Sequence, residues 1–266
     1  MEQLLQACLL GIVEGITEFL PISSTGHLIL LIDILGFKAP PGKVFEVVIQ
    51  LGAILAICIV FKQRVIDVVC HLFTSKRTQY FVWLITLAFL PAAIIGLFGH
   101  SFIKEVLFSP IVVSVMLIVG GFIILIIEKF KPESMIHSVD DMTQKQALLV
   151  GCCQALAMIP GTSRSGSTMM GALLMKIDRK TAAEFSFLLA IPTMVAATAY
   201  DLYKNASDMQ FDDMQLIGVG FLSAFIAALF SVRWLLNFLT HSGFVPFAWY
   251  RIIMGSIMLG YFLLSV

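Results

Sequence analysis

Charged residues are scarce in this chain: Asp, Glu, Lys and Arg make up 13% of its 266 residues, against roughly a quarter in soluble domains. Its 17 basic and 17 acidic side chains balance, so nothing indicates a nucleic-acid partner or a surface bound only by electrostatics. The five cysteines show no CxxC spacing or paired-loop pattern, which disfavours a disulfide framework and a thiolate metal site. The first residues, Met1-Glu-Gln, lack a basic segment, so we expect no cleaved signal peptide.

Hydrophobic residues, by contrast, make up 59% of the chain, and the mean hydropathy is +0.97. Several apolar runs have about the length that crosses roughly 30 Å of hydrocarbon. The alternating pattern of a membrane β-barrel is absent, so helices must satisfy the backbone in lipid. We therefore predict an all-α polytopic membrane protein with six transmembrane helices, at about 44–62, 80–99, 111–130, 184–203, 215–236 and 246–266.

Two further apolar segments have arms too short to cross a bilayer. Residues 3–36 are interrupted by a break from Pro21 to Gly26, and residues 145–177 by a break from Pro160 to Ser167. Broken backbone at membrane depth is tolerated only inside protein or beside a wet cavity. We therefore predict two re-entrant helical hairpins whose breaks line a cavity, with the return helix of the second beginning near Thr168.

The two hairpins lie about 140 residues apart, which predicts an internal duplication of residues 1–130 and 145–266, with one insertion or deletion in the first turn and another before the span that follows. The alternative is that two hydrophobic halves resemble each other by composition alone. If the first hairpin enters from outside, eleven loop basic residues are cytoplasmic and four are not, which is the preferred bias. The three spans between the hairpins then make the second enter from the cytoplasm, so the repeats are inverted and their turns meet near mid-membrane. The eleven are Lys62, Arg64, Lys76, Arg77, Lys129, Lys131, Lys145, Lys176, Arg179, Lys180 and Arg233, and the four are Lys38, Lys43, Lys104 and Lys204.

Glu14 and Glu18 share one face of the first helix, one turn apart. Such a pair could hold a divalent cation against a phosphate, or one of them could carry a proton. The alternative is a helix-end pair facing water. An ionisable group at membrane depth costs roughly 2.5 to 3.5 kcal/mol, so we favour a functional pair.

Hydroxyl groups and an imidazole follow in the first break, at Ser23, Ser24, Thr25 and His27. A hydroxyl three residues before a histidine could be a nucleophile with the imidazole as its base. The alternatives are a phosphate-binding role and plain capping of the next helix.

The second break contains Arg164, an obligate cation among Ser163, Ser165, Ser167 and Thr168. A guanidinium, hydroxyls and a helix N-terminus together suit a phosphate or carboxylate. The alternative is a structural ion pair with Glu18 or Glu14, which is compatible with anion binding. A Walker A lysine is missing, which disfavours nucleotide hydrolysis.

Weaker polar signals lie in the predicted spans. Glu46, Gln50, Glu184 and Ser186 could surround the two turns or simply join helices. Arg251 could reach the membrane surface or pair with Asp201 or Asp33.

Glu14-Gly-Ile-Thr-Glu-Phe-Leu-Pro-Ile-Ser-Ser-Thr-Gly-His27, together with Pro160-Gly-Thr-Ser-Arg-Ser-Gly-Ser-Thr168, resembles the motifs of the undecaprenyl-diphosphate phosphatase (bacitracin-resistance) family. The segments Phe45-Glu-Val-Val-Ile-Gln-Leu-Gly52 and Glu184-Phe-Ser-Phe-Leu-Leu-Ala190 fit as well, so the likeness runs over the whole chain. The resemblance implies a hydrolase of the bacterial inner membrane. It would remove the terminal phosphate of undecaprenyl diphosphate and recycle this lipid carrier for cell-wall synthesis.

The resemblance also implies a Mg²⁺ or Ca²⁺ cofactor, a site that opens to the periplasm, and roles for residues of both turns. Ser24 would attack phosphorus with His27 as base, or His27 would activate water. A polyprenyl-phosphate transporter using the same anion site is the alternative, and a homodimer stays open. The implied catalytic residues are Ser24, His27, Glu18 and Arg164, the metal ligands Glu18 and Glu14, and the further substrate-binding residues Glu14, Ser23, Thr25, Ser163, Ser165 and Thr168.

Overall fold

The computed structural model describes residues 1–38, 40, 44–102, 109–205 and 211–264. Within these ranges the chain forms eleven α-helices and one 3₁₀ turn, which confirms the all-α prediction. In chain order they are α1 Glu2–Thr17, α2 Ser24–Leu35, α3 Val44–Val60, α4 Lys62–His71, α5 Lys76–Phe102, α6 Pro110–Phe130, the 3₁₀ turn Val139–Asp141, α7 Gln144–Leu156, α8 Arg164–Leu174, α9 Arg179–Asn205, α10 Phe211–His241 and α11 Val245–Leu264.

Five of the described helices are long and apolar enough to cross a membrane: α5, α6, α9, α10 and α11. The predicted first span at 44–62 differs from these. Its helix α3 is 17 residues long and is followed after one residue by α4, which turns away by 82°. The predicted total of six spans is reached only if this bent pair counts as one.

Each predicted hairpin consists of two short helices joined by a turn. Helix α1 ends at Thr17 and α2 begins at Ser24, while α7 ends at Leu156 and α8 begins at Arg164. The prediction that the return helix of the second hairpin starts near Thr168 was wrong by one turn. Ser163 caps the Gly166 N–H, so the helix can begin at Arg164.

Matching features of the two hairpins are separated by a constant 140 residues. Gln6 Nε2 donates to the Leu35 carbonyl at 3.1 Å, and Gln146 Nε2 donates to the Met175 carbonyl at 2.8 Å, so each bond closes the open end of a hairpin. Ser23 and Ser163, the residues before α2 and α8, have φ values of 67° and 73°. No insertion or deletion is needed between the hairpins, so the one predicted in the first turn was wrong.

Close backbone contacts fix both hairpins against long helices distant in sequence. A Cβ on Gly11 of α1 would overlap the Gly220 carbonyl of α10, and a Cβ on Gly151 of α7 would overlap the Ala88 carbonyl of α5. Small residues permit this approach where lipid supplies no hydrophobic drive between helices. The packing therefore holds the two turns in fixed positions inside the bundle.

Candidate active site

The turns of the two hairpins touch each other. Arg164 Nη2 donates to Glu18 Oε1 at 3.0 Å, and Ser165 Oγ donates to the Leu20 carbonyl at 2.8 Å. A charged pair buried this deeply needs good geometry and further hydrogen bonds to offset its desolvation. The acidic group of the first turn and the guanidinium of the second thus belong to one site.

A cavity of about 130 Å³ lies at this junction. Pockets for drug-sized ligands measure roughly 300–1,000 Å³, so this cavity has room only for a small polar group. The cavity collects most of the predicted site residues but not Glu14, His27, Ser165 or Thr168. Its lining consists of Glu18, Ser23, Ser24, Thr25, Gln50, Ala157, Pro160, Gly161, Ser163, Arg164, Thr193 and Met194.

The hydroxyl of Ser24 is directed at a carboxylate. Ser24 Oγ donates to Glu18 Oε2 at 2.6 Å, while the other oxygen of Glu18 accepts from Arg164. Both Ser24 and Glu18 are buried yet line the cavity. A hydroxyl bonded to a carboxylate has an acceptor for its proton within reach.

Arg164 is held on two sides and keeps one donor unused. Its Nη1 donates to the Ser186 carbonyl at 3.0 Å, its Nη2 to Glu18, and its guanidinium lies 5.8 Å from the centre of the Phe19 ring. Its Nε–H has no hydrogen-bond partner among the residues the structure describes. A buried cation with an unused N–H beside a cavity is suited to an anionic ligand.

His27 is occupied away from Ser24. Its Nδ1 lies 2.8 Å from the Ser23 carbonyl, which can only accept, so Nδ1 carries a hydrogen. Its Nε2 lies 2.6 Å from the Tyr250 hydroxyl, and the two rings stack. Ser24 bonds Glu18 instead, so this arrangement does not favour the predicted pairing of Ser24 with His27 as its base.

Glu14 is fully buried one helical turn before Glu18. Neither of its carboxylate oxygens has a hydrogen-bond partner at normal distance and angle within the described part of the chain, and the neighbouring Glu18 carboxylate interacts with it. Orphaned carboxylate oxygens next to a second carboxylate fit a hard cation such as Mg²⁺, which binds one or two carboxylates and completes its shell with phosphate and water. No group of three His, Cys, Asp or Glu side chains lies within metal-binding reach in the described ranges, so substrate oxygens would have to complete such a site.

Three hydroxyls of the second turn and α8, those of Ser163, Ser165 and Thr168, hold the local backbone in place. Ser163 Oγ accepts from the Gly166 N–H, and Ser165 Oγ bonds the first turn. Thr168 Oγ1 lies 2.6 Å from Ser186 Oγ and also donates to carbonyls of its own helix. Ser165 and Thr168, predicted to bind substrate, therefore serve here to fix the turn and α8.

Arg251 is 1% exposed. Asp33, one of its two predicted partners, bonds Tyr261 instead, and the side chain of the other, Asp201, lies outside the described residues. All of the Arg251 bonds go to backbone carbonyls, and three of these belong to the two turns. A single arginine of α11 thus ties together both turns and α6. The acceptors are Leu117 and Met116 of α6, Pro21 of the first turn, and Gly161 and Thr162 of the second.

Sequence reasoning missed Tyr250 and Thr193, and it gave Arg251 no role at the turns. Tyr250 precedes Arg251 on α11, and Thr193 lines the cavity on α9. A charged residue inside an apolar span was the only available signal, and it pointed to Arg251 without naming its partners.

Known proteins resemble this chain over nearly its whole length. The family model described as bacitracin resistance protein BacA matches residues 7–257. Undecaprenyl-diphosphatase 2 of Paramagnetospirillum magneticum is 53% identical over 255 residues, covering 96% of this chain and 97% of that protein. Undecaprenyl-diphosphatases of Methylobacillus flagellatus and Parvibaculum lavamentivorans are 52% and 50% identical, each over at least 97% of both chains. The chain therefore belongs to the BacA bacitracin-resistance family.

Proposed function

We propose that this protein is a membrane phosphatase that hydrolyses undecaprenyl diphosphate to undecaprenyl phosphate and inorganic phosphate, returning the lipid carrier to cell-wall synthesis. The relatives described above carry the name of this activity. One observation at the site supports it most: Glu18 accepts hydrogen bonds from Ser24 and from Arg164 at once. A hydroxyl, a proton acceptor and an anion-binding cation therefore share one small cavity.

The diphosphate would be bound by groups from both turns. Arg164 has its free Nε–H to offer, and α2 begins at the cavity wall without a side-chain cap from Ser23. Uncapped N–H groups at a helix N-terminus attract phosphate. Phosphoryl transfer depends mainly on positioning and charge stabilisation, so these donors carry much of the rate.

Ser24 is the nucleophile in this proposal and Glu18 is its base. The Ser24 oxygen forms a bond to the terminal phosphorus, the bond from phosphorus to the bridging oxygen breaks, and undecaprenyl phosphate leaves. The hydroxyl proton passes to Glu18 across the existing 2.6 Å hydrogen bond. Protonated Glu18 gives this proton to the departing undecaprenyl phosphate. Water then attacks the phosphoserine phosphorus while Glu18 accepts a proton from the water, and the bond from phosphorus to the Ser24 oxygen breaks. Ser24 takes the proton back from Glu18, which releases inorganic phosphate and restores the site.

His27 then positions the first turn instead of acting as the base of Ser24. Its ring joins the Ser23 carbonyl to the Tyr250 hydroxyl, so the backbone just before Ser24 is tied to α11. Ser23 has a positive φ, a conformation that costs about 1–3 kcal/mol outside glycine and must be imposed by its surroundings.

Glu18, which lines the cavity, and Glu14, one helical turn before it, are the residues that would hold a divalent cation. When bound, it would neutralise phosphate charge in a site that is otherwise short of cations. The all-oxygen donor set and the two protein carboxylates suit Mg²⁺ better than Ca²⁺, since Ca²⁺ takes six to eight oxygen ligands.

We further infer that the two hairpins are re-entrant and belong to inverted repeats within residues 1–130 and 145–266. Two observations support this arrangement. The bonds that close the two hairpins lie 140 residues apart in sequence. Each hairpin also packs on a helix of the other half of the chain, α1 on α10 and α7 on α5. With the loop charges, this arrangement supports an inner-membrane protein whose cavity opens to the periplasm. Broken helices alone also fit a transporter, but no observation at the site favours translocation.

Phosphate release from undecaprenyl diphosphate by the full chain purified in detergent tests the proposal. Ser24→Ala and Glu18→Gln should each lower kcat by at least about a thousandfold, because each removes a group that acts in the bond-forming step. Ser256→Ala is the matched control for Ser24→Ala, since Ser256 is exposed on α11 and bonds only its own helix.

Incubation with labelled substrate distinguishes attack by Ser24, with Glu18 as its base, from direct attack by water that His27 activates. Glu18→Gln should slow both formation and breakdown of the phosphoserine, whereas His27→Gln should lower turnover less and leave a Ser24 adduct detectable by mass spectrometry. Full turnover by Ser24→Ala would eliminate the serine nucleophile. Loss of turnover by Ser256→Ala would show that the losses reflect misfolding.

A further inference from the structure

Gln50 of α3 lines the active-site cavity, yet neither step of the proposed reaction uses it. Its side chain is half-buried, and no hydrogen bond joins its amide to any residue that the structure describes. The amide therefore has two N–H donors and one carbonyl acceptor available to whatever occupies the cavity.

Gln50 differs from most polar groups of the lining in what it can accept. The hydroxyls of the lining each carry a hydrogen of their own, and Arg164 can only donate. Among the described residues that line the cavity, Glu18 and Gln50 alone have side-chain oxygens without a hydrogen. A water molecule in the cavity can direct one hydrogen to each of these two oxygens.

Matching polar positions on α1 and α3 bring Gln50 to the same side of the site as Glu18. Glu46 lies one helical turn before Gln50, and Glu14 lies one turn before Glu18. The carboxylates of Glu46 and Glu14 are close enough for their charges to interact. One turn further along each helix, Gln50 and Glu18 both reach the cavity, so one water can contact both.

The cavity leaves little choice of position for a water beside a phosphoserine. A water molecule takes about 30 Å³ in the liquid, so a cavity of about 130 Å³ holds little more than a phosphate group and a water or two. Attack on phosphorus is roughly in line with the bond that breaks. The attacking water therefore enters where undecaprenyl phosphate has left, opposite the Ser24 oxygen and against the wall of the cavity.

We propose that Gln50 binds and orients the water that hydrolyses the phosphoserine. This inference rests on the proposed function, because it requires the Ser24 adduct. One hydrogen of the water passes to Glu18 as a proton, while the other forms a hydrogen bond to Gln50 Oε1 and stays on the water oxygen. That oxygen bonds phosphorus, the bond to the Ser24 oxygen breaks, and Ser24 recovers the proton from Glu18. Glutamine amides orient attacking water in this way in GTPases.

Rapid-quench kinetics of the full chain in detergent separate the two steps, because undecaprenyl phosphate forms in the first and inorganic phosphate in the second. Gln50→Met keeps the length of the side chain but has no amide. It should form undecaprenyl phosphate at close to the original rate, in a burst equal to the enzyme concentration. Release of inorganic phosphate should then slow by about a hundredfold, the loss typical of one hydrogen-bonding group aimed at a transition state. The Ser24 adduct should accumulate and be visible by mass spectrometry.

Gln50→Glu tests the acceptor oxygen separately. It keeps an oxygen without a hydrogen at the same place but adds a negative charge that repels the diphosphate. The first step should therefore slow, whereas the adduct should not accumulate, since the water can still be oriented. Accumulation of the adduct to the level of Gln50→Met would overturn the role of the acceptor oxygen.

Gln63→Met is the matched control, because Gln63 is exposed on α4 and does not line the cavity. Both steps should keep their original rates in this variant, and an equal delay of phosphate release there would overturn the inference. Equal slowing of both steps in Gln50→Met would also overturn it, since Gln50 would then act in substrate binding or folding.

Failure of the proposed function has a different signature. If the original protein forms no Ser24 adduct at any time during turnover, the serine route itself is wrong, and the role of Gln50 falls with it. If the original protein forms the adduct and Gln50→Met breaks it down at the original rate, the proposed function stands and only the role of Gln50 is wrong.

Discussion

Arg251 offers the sharpest test of how the two turns are held together. Arginine has five N–H donors in a fixed plane, and Arg251 places its donors on five backbone carbonyls of α6 and the two turns. It touches no residue proposed to react. A conservative change to lysine keeps the charge but leaves only three donors on a single atom.

The size of the effect follows from the bonds that lysine cannot make. Arg251→Lys leaves at least two of the carbonyls without that partner, and each buried unsatisfied group costs about 1–3 kcal/mol. The free energy of unfolding should therefore fall by about 2–6 kcal/mol. A displacement of the turns by about 1 Å costs roughly a hundredfold in rate, so kcat should fall by about that factor while KM changes much less.

The assay measures kcat and KM for phosphate release below the unfolding midpoint of each variant. Arg233→Lys is the matched control, because the same substitution there lies on an exposed surface. Gly120→Ala gives a second perturbation: its Cβ would overlap Arg251 Nη2, so it displaces the guanidinium without removing it. It should also lower kcat, and the two losses should not add, since both act on one group.

Two results would contradict a positioning role for Arg251. If Arg251→Lys lowers the unfolding midpoint but its folded fraction turns over at the original kcat, Arg251 stabilises the bundle without positioning the turns. Additive losses in Arg251→Lys and Gly120→Ala would likewise show that the two changes act at different places.

Three other predictions concern single groups. Arg164→Lys should lower kcat/KM at least a hundredfold in the phosphate-release assay, because one ammonium cannot replace the fork that bonds Glu18 while offering Nε to phosphate; near-normal activity would contradict the anion site. Tyr250→Phe should lower kcat by about tenfold or less through loss of one hydrogen bond to His27, and full inactivation would indicate a direct chemical role. Although burial raises the pKa of Asp140, hydrogen bonds from Arg64 and Arg77 outweigh it and hold this pKa below its usual range. The ionised Asp140 therefore stabilises the folded protein above the ordinary aspartate pKa of about 3.9, and this contribution is lost as the pH falls below that value. The unfolding midpoint of Asp140→Asn should thus approach that of the original protein in acid. A difference between the two midpoints that stays constant with pH would contradict the prediction.

Apart from α4, the helices and their order could be predicted because membrane helices leave strong local signals. An apolar run of the right length must be helical in lipid, and a cluster such as Pro160 to Ser167 must interrupt it. Two boundaries were missed for local reasons. Ser163 takes a positive φ and caps Gly166, which starts α8 four residues early. Helix α3 ends at Val60, and nothing in the apolar run signals the 82° bend that follows.

The partners of each site residue were far harder to predict than the residues themselves. Charge and hydroxyl content single out Glu18, Ser24 and Arg164, but hydrogen-bond direction depends on rotamers set by packing. The nearest histidine in sequence suggested His27 as the base of Ser24, yet Tyr250, from the last helix, takes up its ring. Tyr250 lies 223 residues after His27, and the sequence around His27 cannot indicate a partner so distant in the chain.

Ser24 and Arg164 follow turns of similar backbone conformation but differ in chemistry. Ser23 and Ser163 share the same strained conformation, and the residues that follow them, Ser24 and Arg164, begin their helices at the same point. Both side chains meet on the two oxygens of Glu18. Neither turn alone holds both the proposed nucleophile, Ser24, and the proposed anion-binding cation, Arg164, so the proposed site requires the two hairpins together. A substitution that separates the turns should therefore abolish turnover even when each hairpin keeps its own closing hydrogen bond. Arg251 bonds both turns, so the loss of its hydrogen bonds should act in this way.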